Sequence, residues 1–263
     1  MKTGKKLLIV LGSIVAVMAI VAGSVLGTIA YMTSASKVSN VFTIGNVKLL
    51  LDEGKVDADG QLLTGESAAR TDNNSYKLIP GKSYDKDPTI TVDPTTEICY
   101  IFLVTRNQIT AIEDKTDSEH KPTMAQQMVA NGWGIYKDTT AGSRVWIYCG
   151  SPANVDEETM NAKTPVAICG TSVGTSSAIQ KEKINVFSNF HIASTATETL
   201  SIYSGAEVTI NAIGIQADSF GEFGAMTSVD AAWAAVVNQF PYIQDNVNGN
   251  NNGGQTGDQN GQQ

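Results

Sequence analysis

Two histidines, three cysteines and a few clustered carboxylates are the side chains in this 263-residue chain best suited to chemistry. His120 lies in DKTDSEHKPT, close to Glu113, Asp114, Asp117 and Glu119, all residue types that ligate metals. His191 follows NVFSNF. A zinc hydrolase needs two or three fixed His or carboxylate ligands and a base for the metal-bound water. Neither histidine sits in a His-Glu-x-x-His helix. A loose metal site near His120 is the most this pattern supports; the plainer expectation is a solvated His120 and a buried, satisfied His191. Serine nucleophiles lack a GxSxG elbow and have few bases to draw on. Asp57-Ala58-Asp59-Gly60 echoes a calcium loop without its distal glutamate and reads as a turn. Gly170 to Gly174 lacks the lysine of a phosphate loop. The expectation is a protein with no catalytic, cofactor-binding or metal-ligating residues, and not an enzyme.

The cysteines are Cys99, Cys149 and Cys169, an odd number. Cys149 ends RVWIYC and Cys169 ends PVAIC, so each closes a strand-like run. A bridge between them would close a loop of about twenty residues, worth roughly 3 kcal/mol in the chain-entropy model. Three buried free thiols are the alternative, with Cys99, opening CYIFLV, a small buried hydrophobe.

Mostly strands must position these groups. Lys37 to Leu51 alternates, bends at Gly45-Asn46 and alternates again, predicting a strand, a kink or bulge and a second strand. From Asp52 to Ser75 the chain is polar, with Asp57 to Gly60 a turn and TDNNS a loop; Ile79-Pro80-Gly81 turns again. PTITVD alternates, and the unbroken apolar run Cys99 to Val104 predicts a strand buried on both faces. Lys82, Asp85, Lys86 and Asp87 read as an exposed charged loop that discourages edge pairing. Pro122 to Val129 suits a short helix with proline in its first turn and Gly132 at its end. Ile135-Tyr136 and Arg144 to Cys149 flank DTTAGS as a hairpin. Further strands are expected at Val166–Cys169, Lys183–Phe187 and Val208–Ala217. Near the end, Val229, Ala232, Trp233, Val236 and Val237 recur at helical spacing behind Ser228, a potential cap.

Both termini differ from this body. Lys2, Lys5 and Lys6 precede a stretch from Leu7 to Ser36 without a charge. A basic start, a long apolar core and small residues predict a secretory signal over residues 1–30, cleaved between Ala30 and Tyr31, with Ala35 next and an uncleaved anchor the alternative. Residues 246–263 are almost all Asn, Gly and Gln and cannot bury enough apolar surface to order themselves. That leaves residues 31–245 as one domain. Cleavage removes three of 18 basic residues and none of 26 acids, so the mature balance is 15 against 26. With a pI near 4.8, nucleic acid and anionic membranes are poor partners, and contact with the membrane is expected only through the signal before cleavage. At 42% hydrophobic residues, the body can bury a full core.

Several stretches, in order, resemble the exported proteins of Gram-positive bacteria grouped with TasA and camelysin, processed by a SipW-type signal peptidase. They are GTIAYMTS after the long signal, SNVFTIGNVKLLLDE, LIPGKSYDKDPTITVD, EICYIFLV, and the segments Val208–Phe220 and Asp230–Val236. The resemblance covers both ends of the mature domain, and residues 105–180 add little. It implies a mainly β fold, an antiparallel jelly-roll-like β-sandwich with one or two short helices. It also implies a secreted cell-surface or biofilm-matrix protein whose partners are copies of itself or related matrix proteins, besides the signal peptidase during export. The name camelysin further implies a metallopeptidase, which two histidines serve poorly. Self-association into fibres has a physical route, because the amino-terminal strand can complete its own sheet or add to a neighbour's. A monomeric surface binding or adhesion module is the alternative, with Trp133, Trp146, Tyr136 and Tyr148 as an aromatic platform or as core.

Overall fold

The structure, a computed structural model, describes residues 33–113, 121–138, 143–196 and 200–239, with the backbone alone at 33–40 and 201. The signal, the Ala30–Tyr31 junction, His120 and the Asn/Gly/Gln-rich tail lie outside the described residues.

Among the described residues, fourteen strands and two α-helices carry the fold. The first six strands are β1 (Thr33–Ile44), β2 (Leu49–Gly54), β3 (Arg70–Thr71), β4 (Asn73–Lys77), β5 (Ser83–Asp85) and β6 (Thr89–Val92). After β7 (Cys99–Asn107) come helix α1 (Met124–Ala130), β8 (Trp133–Asp138) and β9 (Ser143–Tyr148). Then follow β10 (Ile168–Cys169), β11 (Ile179–Gln180), β12 (Lys183–Asn185), β13 (Asn189–His191), β14 (Glu207–Gln216) and helix α2 (Met226–Gln239).

The large sheet runs β11-β10-β7-β14-β1-β4, with the β8–β9 hairpin joined to β7. A smaller sheet runs β12-β6-β2-β3. Strand β7 shows why the layers stack this way. Cys99, Ile101 and Leu103 enter the core shared with the small sheet, where Leu51, Ile90, Val92 and Ile184 meet them. Tyr100, Phe102 and Val104 enter a second core on the opposite face, closed by Val229, Ala232, Trp233 and Val236 of α2. An unbroken apolar run is therefore what a strand covered on both sides requires. Each such side chain contributes roughly 1.5–3 kcal/mol by leaving water.

The mainly β, largely antiparallel expectation holds, with two differences. Strand β1 pairs with β14 in parallel, and β10 pairs with β11 in parallel. Parallel neighbours need a long connection, and β1 and β14 lie near opposite ends of the described chain. Helix α1 starts at Met124, two residues later than Pro122 suggested, because Thr123 and Gln126 form a capping box. Ser228 does not cap α2. It lies inside the helix and is buried.

Candidate functional site

The predicted strand, bend and strand at 37–51 divides between the two sheets. Gly45 turns the chain with φ +82°, and a Cβ there would stand 2.4 Å from Gln216 Oε1. The same oxygen accepts the Asn46 N–H at 3.1 Å, so the end of β14 pins the turn. On one side of that turn, β1 occupies the slot between β14 and β4. It is in parallel register with β14 from Ala35–Glu207 to Ile44–Ile215, with an irregularity between Val38 and Val41. Its first five residues, Thr33 to Lys37, run antiparallel to Lys77 through Asn73. Among the described residues β4 has no ladder partner other than β1.

Next to this slot lies a buried polar corner. The expected TDNNS loop is β3 and β4, with Asn74 and Tyr76 turned inward. Nor is the expected charged loop at 82–87 all solvated. Lys86 is 0% exposed, as is Glu53 of β2, and Lys86 Nζ lies 2.5 Å from Glu53 Oε2. Burial pushes the Glu53 carboxyl above its ordinary range, against the pull of the Lys86 ammonium. The same burial pushes the Lys86 amine down. Both shifts favour a neutral pair. Asn74 donates from Nδ2 to the Gly54 carbonyl at 2.8 Å and accepts the Val56 N–H on Oδ1 at 3.1 Å. Arg70 closes the outside, reaching Asp52 Oδ1 at 2.8 Å and Asp87 Oδ2 at 2.7 Å. Below, Tyr76, Tyr84 and Phe190 pack ring to ring at 5.0–5.7 Å, and the Tyr76 hydroxyl donates to the Asp85 carbonyl.

The metal-site candidates do not come together among the described residues. Asp114, Asp117, Glu119 and His120 lie outside them. Glu113 serves structure, accepting the Met124 N–H at 2.8 Å at the start of α1 and the Asn107 amide at 2.7 Å. His191 is buried, with Nδ1 2.8 Å from Ser83 Oγ. Among the described residues no group of three His, Cys, Asp or Glu is placed to hold a metal. Asp57 makes the expected turn, its Oδ1 accepting the N–H groups of Asp59 and Gln61 at 2.9 Å.

All three thiols are buried and free, so the Cys149–Cys169 bridge is not formed. Cys149 Sγ is aimed at the Ile147 carbonyl and Cys169 Sγ at the Val173 carbonyl, two different partners. Burial pushes the Cys149 thiol up to about 12, and the Cys99 thiol also upward. Thiols held protonated are poor nucleophiles.

No family model, curated protein or solved structure matches this chain. The aromatic platform is not one: Trp133, Trp146 and Tyr148 are core residues, and Tyr136 packs against Phe102 and Trp233. A cavity of about 670 Å³ opens instead beside α1, with Met124, Met128, Trp146, Phe187 and Ile210 in its wall and Arg144 and Asp138 at its polar side. The polar corner went unread because Glu53, Asn74 and Lys86 stand in charged or amide-rich stretches. The signal that was available is the alternation of Asn74 and Tyr76 with polar neighbours, a strand pattern with an amide in an inward place.

Proposed function

We propose that this chain is a secreted, non-enzymatic structural protein of the cell surface or biofilm matrix, which associates with copies of itself by strand exchange. Its fold on this reading is a jelly-roll-like sandwich, as the resemblance to the TasA and camelysin group implies. The observation that carries the reading is the position of β1. It is the first strand described, it fills a slot between β14 and β4, and it is joined to the rest through the Gly45 turn. A strand so placed can leave its own slot and fill that of the next molecule with the same ladder bonds. Such a contact is head-to-tail and does not close, which gives a filament. The chain's own acidic surface and the buried thiols suit an exported subunit.

Electron microscopy of the purified mature protein tests this. Fibres are expected, and a chain starting at Asn46, which leaves β2 whole, should form none, while a peptide spanning Thr33–Ile44 should fill its slot and leave it monomeric. Fibres unchanged by removal of β1 would overturn the reading. The cavity beside α1 favours a second reading, a monomeric binding module, since its volume lies in the range of small-ligand sites. Monodisperse particles at every concentration would select that one. A camelysin-type peptidase would require chelator-sensitive proteolysis lost on His191→Ala or His120→Ala.

A further inference from the structure

We propose that the Lys86 amine and the Asn74 side chain join in an intramolecular isopeptide bond, with Glu53 as the catalytic acid and base. Lys86 and Asn74 both meet the Glu53 carboxylate. Lys86 and Glu53 are 0% exposed and Asn74 is 5% exposed. Lys86 Nζ lies 2.5 Å from Glu53 Oε2, and the Asn74 carboxamide stands beside the same carboxylate. Glu53 Oε1 is buried with no hydrogen-bond partner. The Val56 N–H on Asn74 Oδ1 polarises the carbonyl and meets the negative charge that grows there during attack. The Gly54 carbonyl holds the nitrogen that must leave.

Burial sets the protonation states. An amine pushed down and a carboxyl pushed up give an uncharged nucleophile facing an acid. Lys86 Nζ attacks Asn74 Cγ while Glu53 gives its proton toward the carboxamide. Glu53 then takes a proton from the attacking nitrogen, passes it to Nδ2, and recovers the proton lent to the carboxamide oxygen as the carbonyl re-forms. One C–N bond forms, the Cγ–Nδ2 bond breaks, and ammonia departs. Nothing is oxidised or reduced, and the corner's lack of exposure keeps water from competing for Cγ.

The bond would tie β4 to the segment that enters β6, so β4 would stay in place when β1 is absent. That use of the bond rests on the strand-exchange reading; the bond itself does not.

The test is the mass of the intact, unfolded wild-type protein followed by tryptic mapping. The expected protein is lighter than its sequence by one ammonia. Its map contains a branched fragment joining Thr71–Lys77 to Ser83–Arg106, uncut after Lys86. Glu53→Gln should restore the full mass, separate the fragments and allow cleavage after residue 86, and Lys86→Arg should do the same if the first variant does not fold. Wild-type protein with Thr71–Lys77 unbranched and Lys86 cleaved overturns the proposal, even at ammonia-light mass, since an Asn-Gly succinimide loses ammonia without branching. Fibres without the branched fragment would sink the bond alone. A branched fragment in a permanent monomer would sink strand exchange alone.

Discussion

At the middle of the large sheet, β7 and β14 bury only apolar side chains, one set against the small sheet and the other against α2. At the β1–β4 margin of the same sheet, the buried set includes Asn74, with Glu53 beside it and Lys86 paired to Glu53. The middle gains its stability from area removed from water, which is indifferent to direction. The margin buries groups that cost several kcal/mol each unless partnered, so it holds only in one arrangement. Groups kept dry at such a cost are candidates for chemistry, whereas the middle is a scaffold.

The largest expected effect belongs to the scaffold. Phe102→Ala should cost about 3–5 kcal/mol in urea unfolding, because the ring is fully buried between Tyr136 and Trp233. A loss below 1 kcal/mol would dissolve the contrast between the two regions. Next, Lys86→Ala should cost about 1–3 kcal/mol by leaving the buried Glu53 carboxyl without its partner, and Glu53→Leu with Lys86→Met should recover much of it. A neutral Lys86→Ala would mean that the lysine is solvated after all. The thiols offer a covalent probe of the scaffold. Native protein should leave Cys99, Cys149 and Cys169 unlabelled by a thiol reagent until it unfolds, and reductant should leave its mass unchanged. Rapid native labelling would contradict their burial.

The smallest effect lies on an exposed turn that shares neither environment. The Thr159 N–H and hydroxyl on Asp156 Oδ1, at 2.8 and 2.9 Å, hold that carboxyl down to about 2. A depressed folded value means that the stabilisation is present above the ordinary aspartate range and is lost as pH falls toward 2. Asp156→Asn should therefore be slightly less stable at neutral pH, with the gap closing on acidification. A gap independent of pH would assign the effect to something other than the charge.

How much of this was legible follows the same division. CYIFLV announced a strand buried on both faces, and the helical stripe of Val229, Ala232, Trp233 and Val236 announced the cover for one of them. Those positions bury what their residue types prefer to bury. At the margin the types point the other way. Lys86 sits between two aspartates and Asn74 among other polar residues, so local chemistry says surface while tertiary packing says core. Of the two cysteine readings, the structure has three buried free thiols rather than a Cys149–Cys169 bridge, and closing two strand-like runs says nothing about where each sulfur is aimed.

Strand exchange at the β1 slot is most directly tested by pairing Ala35→Cys with Ser75→Cys, which face each other across the β1–β4 ladder. Oxidised assemblies should run on a denaturing gel as a ladder of chains linked end to end, collapsing to one band with reductant. A single internally bridged chain, from material that nonetheless forms fibres, would contradict the account.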